Sequence, residues 1–456
     1  MKAKALLAAA TALTLTACVS AVAWKSVIVG TVMDLKKDDV ALPVATDGAN
    51  NVYQLFPVVS QLYLRKLDPK GVEMWRVNVD ESIADTISFS APLLRITPMG
   101  AAVGYHDSTN QQALLKQYDG NGAVLWSTDF GSHATERLQD IAVGDDGSLT
   151  TAVRITLTRA AIQRYDSSGL AAPEKIVQRT GGFAVCGFGC VATVAVNTNG
   201  ETLVNLADIT ATSSFLLDAT GTQLWSKVKS TTDNLLLGAS HNRVTATASG
   251  FVSVHPIVTW HYDLNGTETW SVPYGSNSKP AVDASGNVYV LDTSDLLLTL
   301  NPRVYKLAGD GTVLWEIALT GQLTGKEMEW SEELQRLVVL TYYYDPGLEI
   351  NGAITEEWGE ALTVFDTAGK KLSVLKGVPT KRRSVTITEL CPPEEEEPTD
   401  SEEPTEPTDP PSCTRLETTL TRGEVLDHFS ISLNKRVVAS GTIEDTEHFA
   451  KAFKLN

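Results

Sequence analysis

The stretch Tyr118–Trp126, YDGNGAVLW, returns in altered copies along this 456-residue chain. Its fixed letters read D-x-x-G-x-x-x-W, and Asp68, Gly71 and Trp75 fit that template as well as Asp119, Gly122 and Trp126 do. Asp218, Gly221 and Trp225 follow, then Asp263, Gly266 and Trp270, while Gly311 and Trp315 keep the pattern with Ala308 in the Asp place. Two copies are degenerate: Asp166 and Gly169 lead to Pro173 where Trp is expected, and Asp366 and Gly369 lead to Ser373.

Apolar, β-branched or aromatic runs flank each copy, as in RVYKLAGDGTVLWEIAL from Arg303 to Leu319, which reads as strand, Gly-containing turn, strand. A second hairpin precedes it in PAVDASGNVYVLD, Pro280 to Asp292, and related turns fall around Gly48, Gly147, Gly200 and Gly250. Each unit therefore holds four short strands. A four-stranded repeat of roughly 45 to 50 residues predicts an all-β chain folded as a single β-propeller, each blade a twisted sheet that buries its neighbours' faces. Helical solenoids are excluded, because the runs alternate with period two and are cut by Gly and Asn.

The ends of the chain carry one further copy, split in two. AKAFKLN at the C-terminus aligns with YLRKLD before Gly71, so Asn456 takes the Asp place, and Trp24 in WKSVIVGTV supplies the missing Trp. The N-terminal strand at 24–32 is therefore expected to complete the last blade, closing the ring by pairing of the N- and C-terminal strands and removing free sheet edges. Counting Trp24, Trp75, Trp126, Pro173, Trp225, Trp270, Trp315 and Ser373 as one position per blade gives eight four-stranded blades, with seven as the fallback should a degenerate unit not form a sheet.

Residues 1–18, MKAKALLAAATALTLTAC, have Lys2 and Lys4, an apolar run too short to span a bilayer, then small residues: an export signal. Leu15 to Cys18 look like a bacterial lipobox, which would make Cys18 the lipidated (palmitate-bearing) N-terminus. Ala21-Val22-Ala23 offers ordinary signal peptidase a competing site. Val19 after the Cys matches outer-membrane sorting, so the expected address is an outer-membrane lipoprotein facing periplasm or surface, with a soluble periplasmic or secreted protein as the alternative. Residues 19–390 are assigned to propeller blades, 391–413 to an acidic Pro/Glu/Thr-rich disordered insertion, and 414–456 to the last blade.

That insertion, CPPEEEEPTDSEEPTEPTDPPSC, cannot bury enough apolar surface to order itself and reads as a charged spacer. Cys391, Cys413, Cys186 and Cys190 are an even number in an exported chain and admit three disulfide connectivities; sequence order favours the local pairs. CGFGC has neither redox nor zinc spacing. A formal net charge of -18 disfavours nucleic acid and anionic membranes, leaving membrane contact to the lipid anchor alone and a monomer as the expected state.

Chemistry is sparse. The recurrent Trp residues 24, 75, 126, 225, 270 and 315 are read as blade-docking side chains rather than an aromatic cage, and the recurrent Asp residues as turn caps. None of the seven histidines forms an HExxH motif, and no GxSxG elbow, Walker loop or strand-following GxGxxG occurs. No catalytic, cofactor or metal residue is assigned.

The Asp, Gly and Trp repeat resembles the pyrroloquinoline-quinone-type (PQQ-like) propeller repeat, in a family that includes quinoprotein dehydrogenases and non-enzymatic envelope lipoproteins. The enzymes of that family bind PQQ and Ca2+ at the propeller axis, but their adjacent Cys-Cys pair is absent here. The expected function is a non-enzymatic envelope lipoprotein whose propeller is an interaction platform for an envelope protein or glycan. The alternative is a quinoprotein-type oxidoreductase, or another enzyme with an axial site, using PQQ and Ca2+.

Overall fold

The computed structural model describes residues 22–28, 43–58, 61–80, 92–107, 112–131, 137–156, 158–179, 191–207, 211–230, 242–276, 278–293, 302–347, 349–350, 353–390, 412–421, 423–432, 435–443 and 447–455. The apolar runs around the repeat are strands, and no α-helix occurs among the described residues. They build eight antiparallel sheets in chain order, the blades of a β-propeller. In blade 1 the strands Val44–Thr46, Val52–Val58, Gln61–Leu67 and Glu73–Asp80 run up and down in sequence order. Blades 2 to 6 repeat this plan, ending at Val313–Ala318.

First strands of consecutive sheets lie against one another, so they are innermost and fourth strands outermost. Burial follows that order. Val52–Val58 is buried almost throughout, because sheets cover both of its faces, whereas Glu73–Asp80 alternates between exposed and half-buried along most of its length. The core is a series of sheet-to-sheet layers: Leu55 and Leu64 of blade 1 meet Leu94, Val103 and Tyr105 of blade 2. Each such side chain contributes about 1.5–3 kcal/mol on burial.

Blade 7 carries more than four strands. Its third strand, Ala353–Phe365, serves two partners: 361–365 pair with Lys371–Lys376, and 353–358 pair with Thr380–Leu390. Thr380–Leu390 then pairs along its whole length with Ser412–Thr421, from Lys381 opposite Thr421 to Leu390 opposite Ser412. The acidic stretch thus falls in sequence between the two strands of a long hairpin of blade 7, and the strands of blade 8 start at Glu424 rather than at the expected 414. Cys413 lies opposite Glu389 in that hairpin.

Blade 8 draws on both chain ends. Glu424–Ser432, Arg436–Ile443 and Glu447–Lys454 are its first three strands, and Val22–Ile28 is the fourth. Trp24 stands opposite Ala452 and Val27 opposite Phe449, so the N-terminal strand pairs with the C-terminal one; Asn456 and 29–32 lie outside the described residues. Blades 1 and 8 also touch. Val44, Val52 and Leu67 pack on Val438, Ala450 and Ala452, the Gln54 amide donates to Phe449 O at 2.9 Å, and the Thr46 hydroxyl donates to Ile431 O at 2.9 Å.

The repeat has a clear mechanical content. Asp119 Oδ1 accepts the N–H groups of Asn121 and Ala123, both at 2.8 Å, and Asp68, Asp166, Asp218, Asp263 and Asp366 do the same two and four residues on. The Ala123 N–H, with that of Asn121, holds the Asp119 carboxyl below the usual carboxylate range.

Gly and Trp act between blades. Trp75 Nε1 donates to Gly120 O at 3.0 Å, Trp126 to Ser167 O at 3.2 Å, Trp225 to Leu264 O at 2.9 Å, Trp270 to Gly309 O at 2.8 Å and Trp315 to Thr367 O at 3.1 Å. Every acceptor is the residue after the Asp position in the following blade. The indole then lies over that blade's repeat glycine: a Cβ on Gly169, at φ 86°, would sit 2.6 Å from the Trp126 ring, and one on Gly311 2.7 Å from Trp270. Only glycine combines the left-handed backbone with this approach.

Blade 4 offers an internal control. Its Gly221 has φ 84°, but Pro173 replaces the Trp of blade 3, and nothing lies within 4 Å of a Cβ built there. Gly169→Ala and Gly221→Ala share the backbone strain of about 1–2 kcal/mol. Gly169→Ala must in addition displace Trp126 and is expected to cost about 1–3 kcal/mol more. Urea midpoints of the two variants measure the difference; equal midpoints would contradict docking through this glycine.

Candidate axial site

Inner strands are sheet edges, and their unpaired N–H and C=O groups need partners. Side chains from the preceding blade supply several. Arg95 of blade 2 donates through Nε to Ile141 O of blade 3 at 2.9 Å and through Nη2 to Asp140 Oδ1 at 3.0 Å. Asp140 in turn accepts Val194 N of blade 4 at 3.1 Å. The Thr245 hydroxyl of blade 5 donates to Pro280 O at 2.8 Å. On blade 7, Glu327 accepts the N–H of Phe429 and Glu329 that of Ile431, both at 3.2 Å, from the first strand of blade 8.

These staples leave a cationic group on the axial side. Burial lowers the pKa of Arg243, on the first strand of blade 5; Asp140 and, to a smaller extent, Glu327 oppose that shift, while Arg95 adds to it. Lys279, just before blade 6, is lowered by the same cause, with Asp140 opposing and both Arg95 and Arg243 adding. Its side chain is nonetheless exposed to solvent. Among the described residues neither Arg243 nor Lys279 has a hydrogen-bond or ion-pair partner of its own. Three cations therefore lie around Asp140, which Arg95 and the Val194 N–H already engage, and Glu327 is within electrostatic range of Arg243. Such an arrangement attracts an acidic group.

Blade 7 contributes two acidic groups, Glu327 and Glu329, on its first strand. Burial first, and then the neighbouring Glu327 charge, pushes the Glu329 carboxyl up to about 8, against the Ile431 N–H, which favours its ionised form. A raised acid binds more protons folded than unfolded, so its contribution to stability is complete below the ordinary Glu range and is lost as pH rises through about 8. Glu329→Gln is expected to remove that loss, stabilising the protein at pH 9 relative to wild type by on the order of 2 kcal/mol, with little difference at pH 5. Melting curves at the two pH values check this; a variant that tracks the wild type at both would contradict it.

Ca2+ does not fit this cationic group, where Asp140 is taken by Arg95. Glu327 and Glu329 accept backbone N–H groups, and among the described residues no cluster of three or more His, Cys, Asp or Glu could hold a metal ion. No chemistry through PQQ and Ca2+ is derived from these residues.

Cys18, Cys186, Cys190 and Cys391 lie outside the described residues, and only the backbone is described for Trp24 and Cys413. The other named tryptophans line the blade interfaces and do not converge on the axis. His261 also packs: 3% exposed, it stacks on Trp270 with ring centroids 5.7 Å apart. Arg95, Asp140, Arg243 and Lys279 carry no local motif.

No known family description and no curated sequence matches the chain. Solved structures do. The Dos1 propeller is 10% identical over 92% of this chain and 95% of its own, with a TM-score of 0.41. The Neurospora crassa Pan2 WD40 domain is 9% identical over 91% and 89%, also at 0.41, and TolB from Acinetobacter baumannii is 12% identical over 71% and 78%, at 0.32.

Proposed function

We propose that this protein is an exported envelope propeller that serves as a binding platform, taking an acidic segment of a partner protein on the axial side where Arg95, Arg243 and Lys279 converge. The observation that carries the reading is the pair of cations, Arg243 and Lys279, without partners of their own beside an engaged Asp140. An incoming carboxylate would supply the counter-charge that neither side chain finds in a hydrogen bond or ion pair. Lipidation at Cys18 would hold the platform at a membrane surface, and a Cys391–Cys413 disulfide would close the acidic stretch next to the Thr380–Leu390 and Ser412–Thr421 hairpin, in which Cys413 itself stands opposite Glu389. Cys186 with Cys190 would form the second disulfide.

A cross-linking pull-down from intact envelopes tests this, with wild type, Cys18→Ala and the double variant Arg243→Glu, Lys279→Glu side by side. The expected result is a protein partner recovered by wild type and lost with the double variant, together with palmitate labelling that disappears in Cys18→Ala. Recovery of glycan alone would replace the partner class. No partner and no palmitate would sink the proposal.

A further inference from the structure

Five of the blade interfaces are sealed by the same device, an indole laid over a left-handed glycine with its N–H on the carbonyl two residues before that glycine. Between blades 3 and 4 every part of the device is present except the indole. Gly221 has the left-handed backbone, at φ 84°, with open space above it. Ala219, two residues before it, holds the acceptor position. Pro173 takes the Trp place: outer-strand pairing runs from Arg159 opposite Gln178 to Ile162 opposite Lys175, and one further step of two residues sets Arg164 opposite Pro173, as Lys66 stands opposite Trp75. A proline there has neither the reach nor the N–H to fill the gap.

The gap is a shallow slot open on one side: Ile162, Leu217 and Pro173 are among its walls, and Gly221 and Ala219 line it too. Arg164 enters from one side, tied to Asp146, Ser148 and Gly200 O, and reaches Ala219 O at 3.4 Å. That contact does not use up the carbonyl. In blade 1 both Lys66 and Trp75 donate to Gly120 O, and in blade 6 both Lys306 and Trp315 donate to Thr367 O. A carbonyl with two lone pairs takes one cation and one indole N–H at this position.

We propose that this slot is a binding site for an indole ring supplied from outside the blade, lying on Gly221 with its N–H donated to Ala219 O beside Arg164. The ring could be the side chain of a tryptophan on a polypeptide or a free small molecule, and two probes separate these: N-acetyltryptophanamide for the first and indole for the second. Titration by calorimetry or saturation-transfer NMR is expected to show saturable binding of at least one probe, and the probe that binds names the source.

Pro173→Trp should fill the slot from within, abolish binding and raise the melting temperature. Gly221→Ala, which places a methyl group on the floor, should weaken binding at least tenfold and keeps the test open if Pro173→Trp does not fold. Absence of saturable binding for both probes, or binding that survives both substitutions, overturns the proposal.

Discussion

Trp270→Ala is expected to lower the stability of the protein by about 3–5 kcal/mol, the range for removing a large aromatic from a packed site. Trp270 is 8% exposed, stacks on His261 and lies over Gly311. Truncation would open a cavity between blades 5 and 6, deprive Gly309 O of its 2.8 Å donor and uncover His261, whose two ring nitrogens now reach Thr269 and Thr247. Three losses of different kinds fall on one interface. Urea denaturation followed by circular dichroism would read the effect, and Trp126→Ala, at a more open interface, should cost less. A loss under about 1 kcal/mol for Trp270→Ala would mean that packing elsewhere carries the interface.

Deleting residues 22–28 is expected to have an effect of similar size and a different signature. The deletion strips the strand that pairs with Glu447–Lys454 from Ile28 opposite His448 to Val22 opposite Phe453. The exposed edge belongs to a strand in which Phe449, Ala450, Ala452 and Phe453 are buried, so the truncated protein should both melt earlier and self-associate. Light scattering with size exclusion, on protein produced without residues 1–21 in both forms, separates the two consequences. A synthetic peptide VAWKSVI added in trans should restore monomer and part of the stability. A truncated protein that stays monomeric with an unchanged midpoint would show that the N-terminal strand is dispensable to blade 8 and to any closure of the ring.

The parts of this fold that were legible in the sequence are those in which chemistry and spacing repeat together. Asp caps its turn through neighbours two and four residues on, so the signal is local; Gly and Trp recur because each interface reuses one geometry. The split copy at Trp24 was readable for the same reason. Blade 7 was less legible: nothing in AITEEWGEALTVF announces that one strand will pair with two partners along its length, because that depends on Thr380–Leu390 arriving from beyond the next turn. The cationic group was not legible at all. Arg95, Arg243 and Lys279 come from three blades, and only the arrangement of blades brings their charges within reach of Asp140. Pro173 was visible as a broken letter in the repeat, but a broken letter does not say whether the neighbours collapse into the gap or leave it open.

The direction of the Trp-over-Gly contact has a further meaning. At five joints one unit offers a ring and the next a bare glycine, so those units are joined head to tail like monomers in a polymer. A lineage could gain or lose one whole unit and leave every remaining joint chemically unchanged. The number of units is then a variable that duplication can alter, and a unit that loses its ring, as blade 3 has, can acquire a separate use without disturbing the joints on the rest of the molecule.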